Sequence, residues 1–170
     1  MERKLEHKYM AGYIPYNVCA KLPHGILTVG NHPDIHGVDN LVNYGAILRE
    51  HNNYKLILRP LSDLYRTITH NGKEVTPILE LARIAAPDIE WELHTATEGW
   101  SFARQEKPYL RFEYEKDQGS FILTNGETDW CVGKLPKLFD CMNSLLIDYR
   151  GLIDADLAAS VYDLDTNPYK

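Results

Sequence analysis

The sequence predicts an α+β fold with a mainly antiparallel sheet, and three features carry that prediction. Asn71-Gly72 sits between the short runs Tyr65 to Thr69 and Lys73 to Thr76. This dipeptide accepts the positive φ values of a two-residue hairpin turn. Leu110, Phe112 and Tyr114 alternate with Arg111, Glu113 and Glu115, the period of a strand with one buried and one wet face. Leu135, Leu138, Phe139, Met142, Leu145, Leu146 and Tyr149 recur at three- and four-residue steps, which lays one apolar stripe along a helix. Strands joined by local turns and followed by helices belong to the α+β class.

Taken in order, Asn17 to Leu22 and Ile26 to Gly30 are expected to pair through a turn at Pro23-His24-Gly25, with an exposed, turn-rich loop over Asn31 to Asn40. Tyr54 to Leu58 reads as a strand, and the hairpin at Asn71-Gly72 follows. Thr76 offers a capping hydroxyl and Pro77 suits a first helical position. Ile78, Leu81, Ala82 and Ala85 continue at helical spacing, so a helix is expected over about 77–86 with Pro87 as its stop. Ile89, Trp91 and Leu93 alternate with Glu90, Glu92 and His94. A second hairpin is expected at Asp117-Gln118-Gly119, leading into Ser120 to Thr124. Two C-terminal helices are expected over about 136–149 and 154–164, and the last residues through Pro168 are expected to fray.

At 170 residues, 44% hydrophobic and 25% charged, with no repeat and no Gly/Ser/Pro-rich linker, the chain reads as a single globular domain over 1–170. Its net charge of -6 argues against nucleic-acid binding, which needs Lys and Arg gathered on one face. No segment approaches the roughly 20 apolar residues of a membrane span and no signal peptide is evident, so a cytoplasmic protein with no membrane association is expected. Cys19, Cys131 and Cys141 form no C-x-x-C pair and read as reduced core thiols.

The block Ile57-Leu58-Arg59-Pro60-Leu61-Ser62-Asp63-Leu64 with His70-Asn71-Gly72 resembles one in a family of short uncharacterised proteins of Bacteroidales genomes and their prophages. Tyr13-Ile14-Pro15-Tyr16, Leu135-Pro136-Lys137-Leu138-Phe139 and Asp148-Tyr149-Arg150-Gly151-Leu152-Ile153 resemble further blocks of the same family, in its order. The chain departs from that pattern in lacking the usual Gly after Tyr16 and in having a divergent middle from Asp88 to Gly126. The resemblance implies a phage or mobile-element setting and no activity.

Four groups of residues bear on function. His32, Asp34, His36 and Asp39 bring imidazoles and carboxylates into one loop, ligand types suited to a divalent ion, although Pro33 and Gly37 bend the backbone between them and a solvated turn is the plainer reading. Ser62 and Asp63, with His70, contain the residue types of a hydrolase triad but no nucleophile elbow or oxyanion donor loop, so a capped turn after the preceding strand is expected. Tyr13, Ile14 and Tyr16, with Arg59, suggest an interaction surface, since tyrosine gives large contact area at modest entropy cost. Asp148, Asp154, Asp156, Asp163 and Asp165 form an acidic C-terminal region, read as a solvated face. The expected function is non-catalytic, through an unidentified protein partner or a homodimer, with no cofactor. The competing reading is a small metal-dependent hydrolase or nuclease using the His32 to Asp39 loop.

Overall fold

Turn chemistry and strand alternation carry through into the computed structural model, which describes residues 5–30, 41–50, 52–96, 101–106 and 109–170. In chain order its elements are α1 (His7–Met10), β1 (Cys19–Leu22), β2 (Gly25–Gly30), β3 (Leu41–Asn43), α2 (Tyr44–Arg49), β4 (Lys55–Leu58), β5 (Ile68–His70), β6 (Lys73–Val75), α3 (Pro77–Ala85), β7 (Glu92–Thr95), β8 (Ser101–Gln105), β9 (Leu110–Glu115), β10 (Ser120–Thr124), β11 (Asp129–Cys131), α4 (Leu135–Ser144) and β12 (Ala158–Ser160). Short 3-10 turns occupy Ile14–Tyr16, Leu61–Tyr65 and Val161–Asp163. The fold is α+β with mainly antiparallel sheets.

The elements group into two units, Met1–Leu61 with Asn143–Lys170, and Ser62–Met142. The sequence reads as one domain because neither boundary falls in a linker: one lies inside the Leu61–Tyr65 turn and the other inside α4.

The first unit holds a five-stranded sheet in the order β12-β4-β1-β2-β3. Its β1–β2 and β1–β4 pairs are antiparallel, while β2–β3 and β4–β12 are parallel. Leu56, Ile57 and Leu58 of β4 are fully buried and pack with Met10, Tyr13, Val18, Ala20, Ile47 and Leu146. A central strand covered on both faces reads as a continuous apolar run, as Leu56-Ile57-Leu58 does.

The second unit holds a five-stranded antiparallel meander in the order β11-β10-β9-β8-β7, beside the separate β5–β6 hairpin. The expected hairpins are both present. Asn71 and Gly72 have φ of 50° and 75° between the paired His70 and Lys73, and Gly119 has φ of 62° just before Ser120, which pairs with Glu115. Phe112 and Phe121 stack with centroids 5.8 Å apart, Trp91 lies 6.3 Å from Phe112, and Phe139 of α4 meets Phe121 edge-on at 5.4 Å. The buried Trp91, Phe112 and Phe121 rings each contribute about 1.5–3 kcal/mol through removal of apolar area from water.

Several expected elements are corrected. The α3 helix ends at Ala85 as Pro87 requires, but the Thr76 hydroxyl makes no capping bond. It lies 3.0 Å from the Thr67 hydroxyl, across the base of the β5–β6 hairpin. The helix expected over 136–149 stops at Ser144, because Leu146 turns to a φ of 59°. Its carbonyl accepts from the Arg59 N–H at 2.8 Å, and the Asp148 N–H donates to the Arg59 carbonyl at 2.8 Å. The helix expected over 154–164 is absent: Ala158, Ala159 and Ser160 pair in parallel with Leu56, Ile57 and Leu58. Small side chains let this strand lie against β4, and sheet pairing overrides the helical propensity of Ala.

Candidate functional site

Of the four residues expected to form an interaction surface, two are interior. Tyr13 is 0% exposed and its hydroxyl donates to the Ile147 carbonyl at 3.0 Å, while burial, with Asp148 nearby, raises its pKa well above the ordinary tyrosine value. Arg59 is 1% exposed, with its guanidinium carbon 5.8 Å from the centre of the Tyr169 ring, close enough for a cation–π attraction. Ile14 and Tyr16 are half-buried and pack against the core of the first unit. The sequence assigns these residues to the surface, whereas Tyr13 and Arg59 are buried and hold the chain segment around Ile147.

The residue that organises this region is Tyr169, which directly follows the stretch through Pro168 expected to fray. Tyr169 is 4% exposed. Its hydroxyl donates to the Ile57 carbonyl at 2.7 Å and accepts from the Cys19 N–H at 2.9 Å. In the β1–β4 register Lys21 faces Lys55 and Ala20 faces Leu56, so Cys19 and Ile57 are the next pair in line. The Tyr169 oxygen stands between them and supplies the partners that a continued ladder would give. Asn167 supports the arrangement by accepting from the Tyr169 N–H at 2.9 Å. The only signal in the sequence is an aromatic residue following Asn-Pro.

The C-terminal acids are likewise used locally. Asp148 is buried, and its carboxylate accepts from the Leu152 and Ile153 N–H groups at 2.9 and 2.7 Å. Burial raises its pKa above the ordinary carboxylate value, against the lowering effect of those donors. Asp156, with φ of 57°, binds the Lys55 ammonium. Asp163 accepts from the Ser160 N–H at 3.2 Å while the Ser160 hydroxyl accepts from Tyr162, a capping box on the last 3-10 turn.

Two surface regions among the described residues bear on binding. In the first unit, an open cleft of about 410 Å3 is lined by Lys21, Lys55, Asn53, Ala159, Asp156 and Asp163. In the second unit, residues 125–130 are all exposed, and β11 is the outermost strand of its sheet. Trp130 lies opposite Leu123 and is 42% exposed, Leu135 at the start of α4 is 41% exposed, and Tyr109 stands against Gly126 at 40% exposed.

Ser62 is exposed and Asp63 buried in the Leu61–Tyr65 turn. His32, Asp34, His36 and Asp39 lie outside the described residues. Among the described residues no group of His, Cys, Asp and Glu is placed to hold a metal ion, and no helix is long and apolar enough to cross a membrane. No protein-family model, curated protein or solved structure matches the chain.

Proposed function

We propose that this chain is a non-catalytic binding protein of phage or mobile-element type, acting by self-association or by contact with a partner protein through the β11 margin of its second unit. The exposed Trp130 carries the reading. Large aromatic side chains are strong contributors to protein interfaces. This one stands on an edge strand whose outward N–H and C=O groups are a template for another chain. Covering the exposed 42% of its surface is worth about 2–3 kcal/mol at ordinary area coefficients. Tyr109, against Gly126 in the β10–β11 turn, and Leu135, four residues after β11, are further exposed apolar side chains of this unit. Asp129 and Glu127 rim the margin with charge, as expected of a protein interface with an apolar centre and a polar rim.

Sedimentation velocity over a wide concentration range tests self-association, and capture from a producing host's lysate tests partner binding. The reading expects one of the two, lost in a Trp130→Ser, Leu135→Ser double variant that keeps its Tm. A monomer that captures nothing, or a double variant that associates and captures like the wild type, would overturn it. Zinc, manganese or nickel should leave Tm unchanged. A metal-dependent rise abolished by alanine at His32 and His36 would instead favour the metal-dependent reading.

A further inference from the structure

One face of the first unit's sheet carries a row of three cross-strand neighbours. Ile26 of β2 lies opposite Lys21 of β1, and Lys21 lies opposite Lys55 of β4. The adjacent row, Leu27, Ala20 and Leu56, turns to the other face, where Ala20 and Leu56 are fully buried. Like charges directly opposite across an antiparallel pair repel. Lys55 is relieved by Asp156, whereas among the described residues no carboxylate forms an ion pair with Lys21.

This row borders the cleft of about 410 Å3, and a second hollow of about 450 Å3 meets it at Leu22, Pro23 and Asn53. The second hollow is lined by Ile26, Leu27 and Tyr54, with Ile26 37% exposed. One half of the depression therefore carries two lysines, Lys21 and Lys55, balanced by Asp156 and Asp163, and the other is largely apolar, each in the size range of small-molecule sites.

We propose that the joined clefts bind a small organic anion, its carboxylate or phosphate between Lys21 and Lys55 and its apolar body against Ile26 and Tyr54. Four charged groups border the head position: Lys21, Lys55, Asp156 and Asp163. Asp163 is engaged by the Ser160 N–H. The Asp156 side chain is 88% exposed, so it leaves Lys55 for solvent when a ligand anion takes its place. Asp156 thus acts as an internal competitor, and removing its charge should tighten binding.

The test is a titration of isotopically labelled protein with phenyl phosphate, benzoate and inorganic phosphate, followed through backbone amide shifts. Saturable shifts at residues 21, 26, 54 and 55 are expected with at least one aryl probe, and the stronger of the two identifies a phosphate or a carboxylate head. Added salt should weaken the binding. Lys21→Gln should weaken it at least about fivefold and Asp156→Asn should tighten it by a similar factor, as expected for gain or loss of one charge-assisted contact. Ile26→Ser should weaken the aryl probe and leave inorganic phosphate unchanged. Asn tolerates the left-handed backbone at 156 and residue 21 is exposed, so an unchanged Tm verifies the fold in both variants. Absence of saturable shifts at these residues, or equal affinity in Lys21→Gln, Asp156→Asn and the wild type, would overturn the proposal.

Discussion

Tyr169→Phe removes one oxygen and keeps the ring, which isolates the bridging role of the hydroxyl between β1 and β4. Two bonds are lost, one donated to the Ile57 carbonyl at 2.7 Å and one accepted from the Cys19 N–H at 2.9 Å. Both are buried bonds, and Tyr169 itself is 4% exposed. An unsatisfied buried polar group costs about 1–3 kcal/mol, and partial relaxation makes the pair less than additive, so a loss of about 2–4 kcal/mol is expected. At about 2–4 °C per kcal/mol for a chain of this size, Tm should fall by about 4–16 °C. Urea unfolding should show a lower midpoint at unchanged slope. Deleting residues 169–170 should cost more, because the ring then leaves a cavity beside Arg59. A Tyr169→Phe loss below about 0.5 kcal/mol, the range of ordinary surface substitutions, would refute the bridging role.

Burial raises the Asp148 carboxyl above its ordinary value, so in the acid window between the unfolded and folded pKa the native state holds the extra proton and stability falls as pH rises. Asp148→Asn should remove that slope from the pH dependence of urea unfolding, and an unchanged slope would show that Asp148 is not its source. Burial, with Glu80 and Asp140 nearby, pushes the Cys141 thiol up to about 11. Its alkylation at pH 8, mapped by mass spectrometry, should be about a hundredfold slower in the native protein than in urea. A Cβ at Gly12 would lie 2.7 Å from the Asn143 side-chain oxygen. Gly12→Ala should therefore cost about 1–3 kcal/mol by calorimetry, and less in an Asn143→Ala background.

The local rules read well where the chain obeys its neighbours. Asn71-Gly72 takes both positive φ values on its own account, and the alternation from Leu110 to Glu115 gives β9 with Phe112 and Tyr114 buried. Distant partners decide the remainder. Leu145 to Tyr149 continues the apolar stripe of α4, but its backbone is taken by Arg59. Ala158-Ala159-Ser160 has the composition of a helix and becomes a strand because β4 offers a free edge. Strands β8 and β11 show little hydrophobic alternation, so pairing defines them more than composition.

The same contrast holds for the site. Tyr13 and Arg59 stand out in the sequence as an aromatic and a cation, but packing alone determines that both face inward. Lys21 and Lys55 are separated by 33 intervening positions, and only the β1–β4 register sets them side by side. Nothing in the sequence sets Trp130 apart, and its exposure follows from the terminal place of β11 in the sheet order.

Hydrogen exchange at residues 125–130 tests the binding account most directly, because these exposed residues lie on the surface proposed to be covered. They should exchange rapidly in dilute protein and slow by at least about tenfold on self-association or with a captured partner, while Trp130→Ser abolishes the change. Exchange that stays equally fast in the free and associated protein would contradict the account.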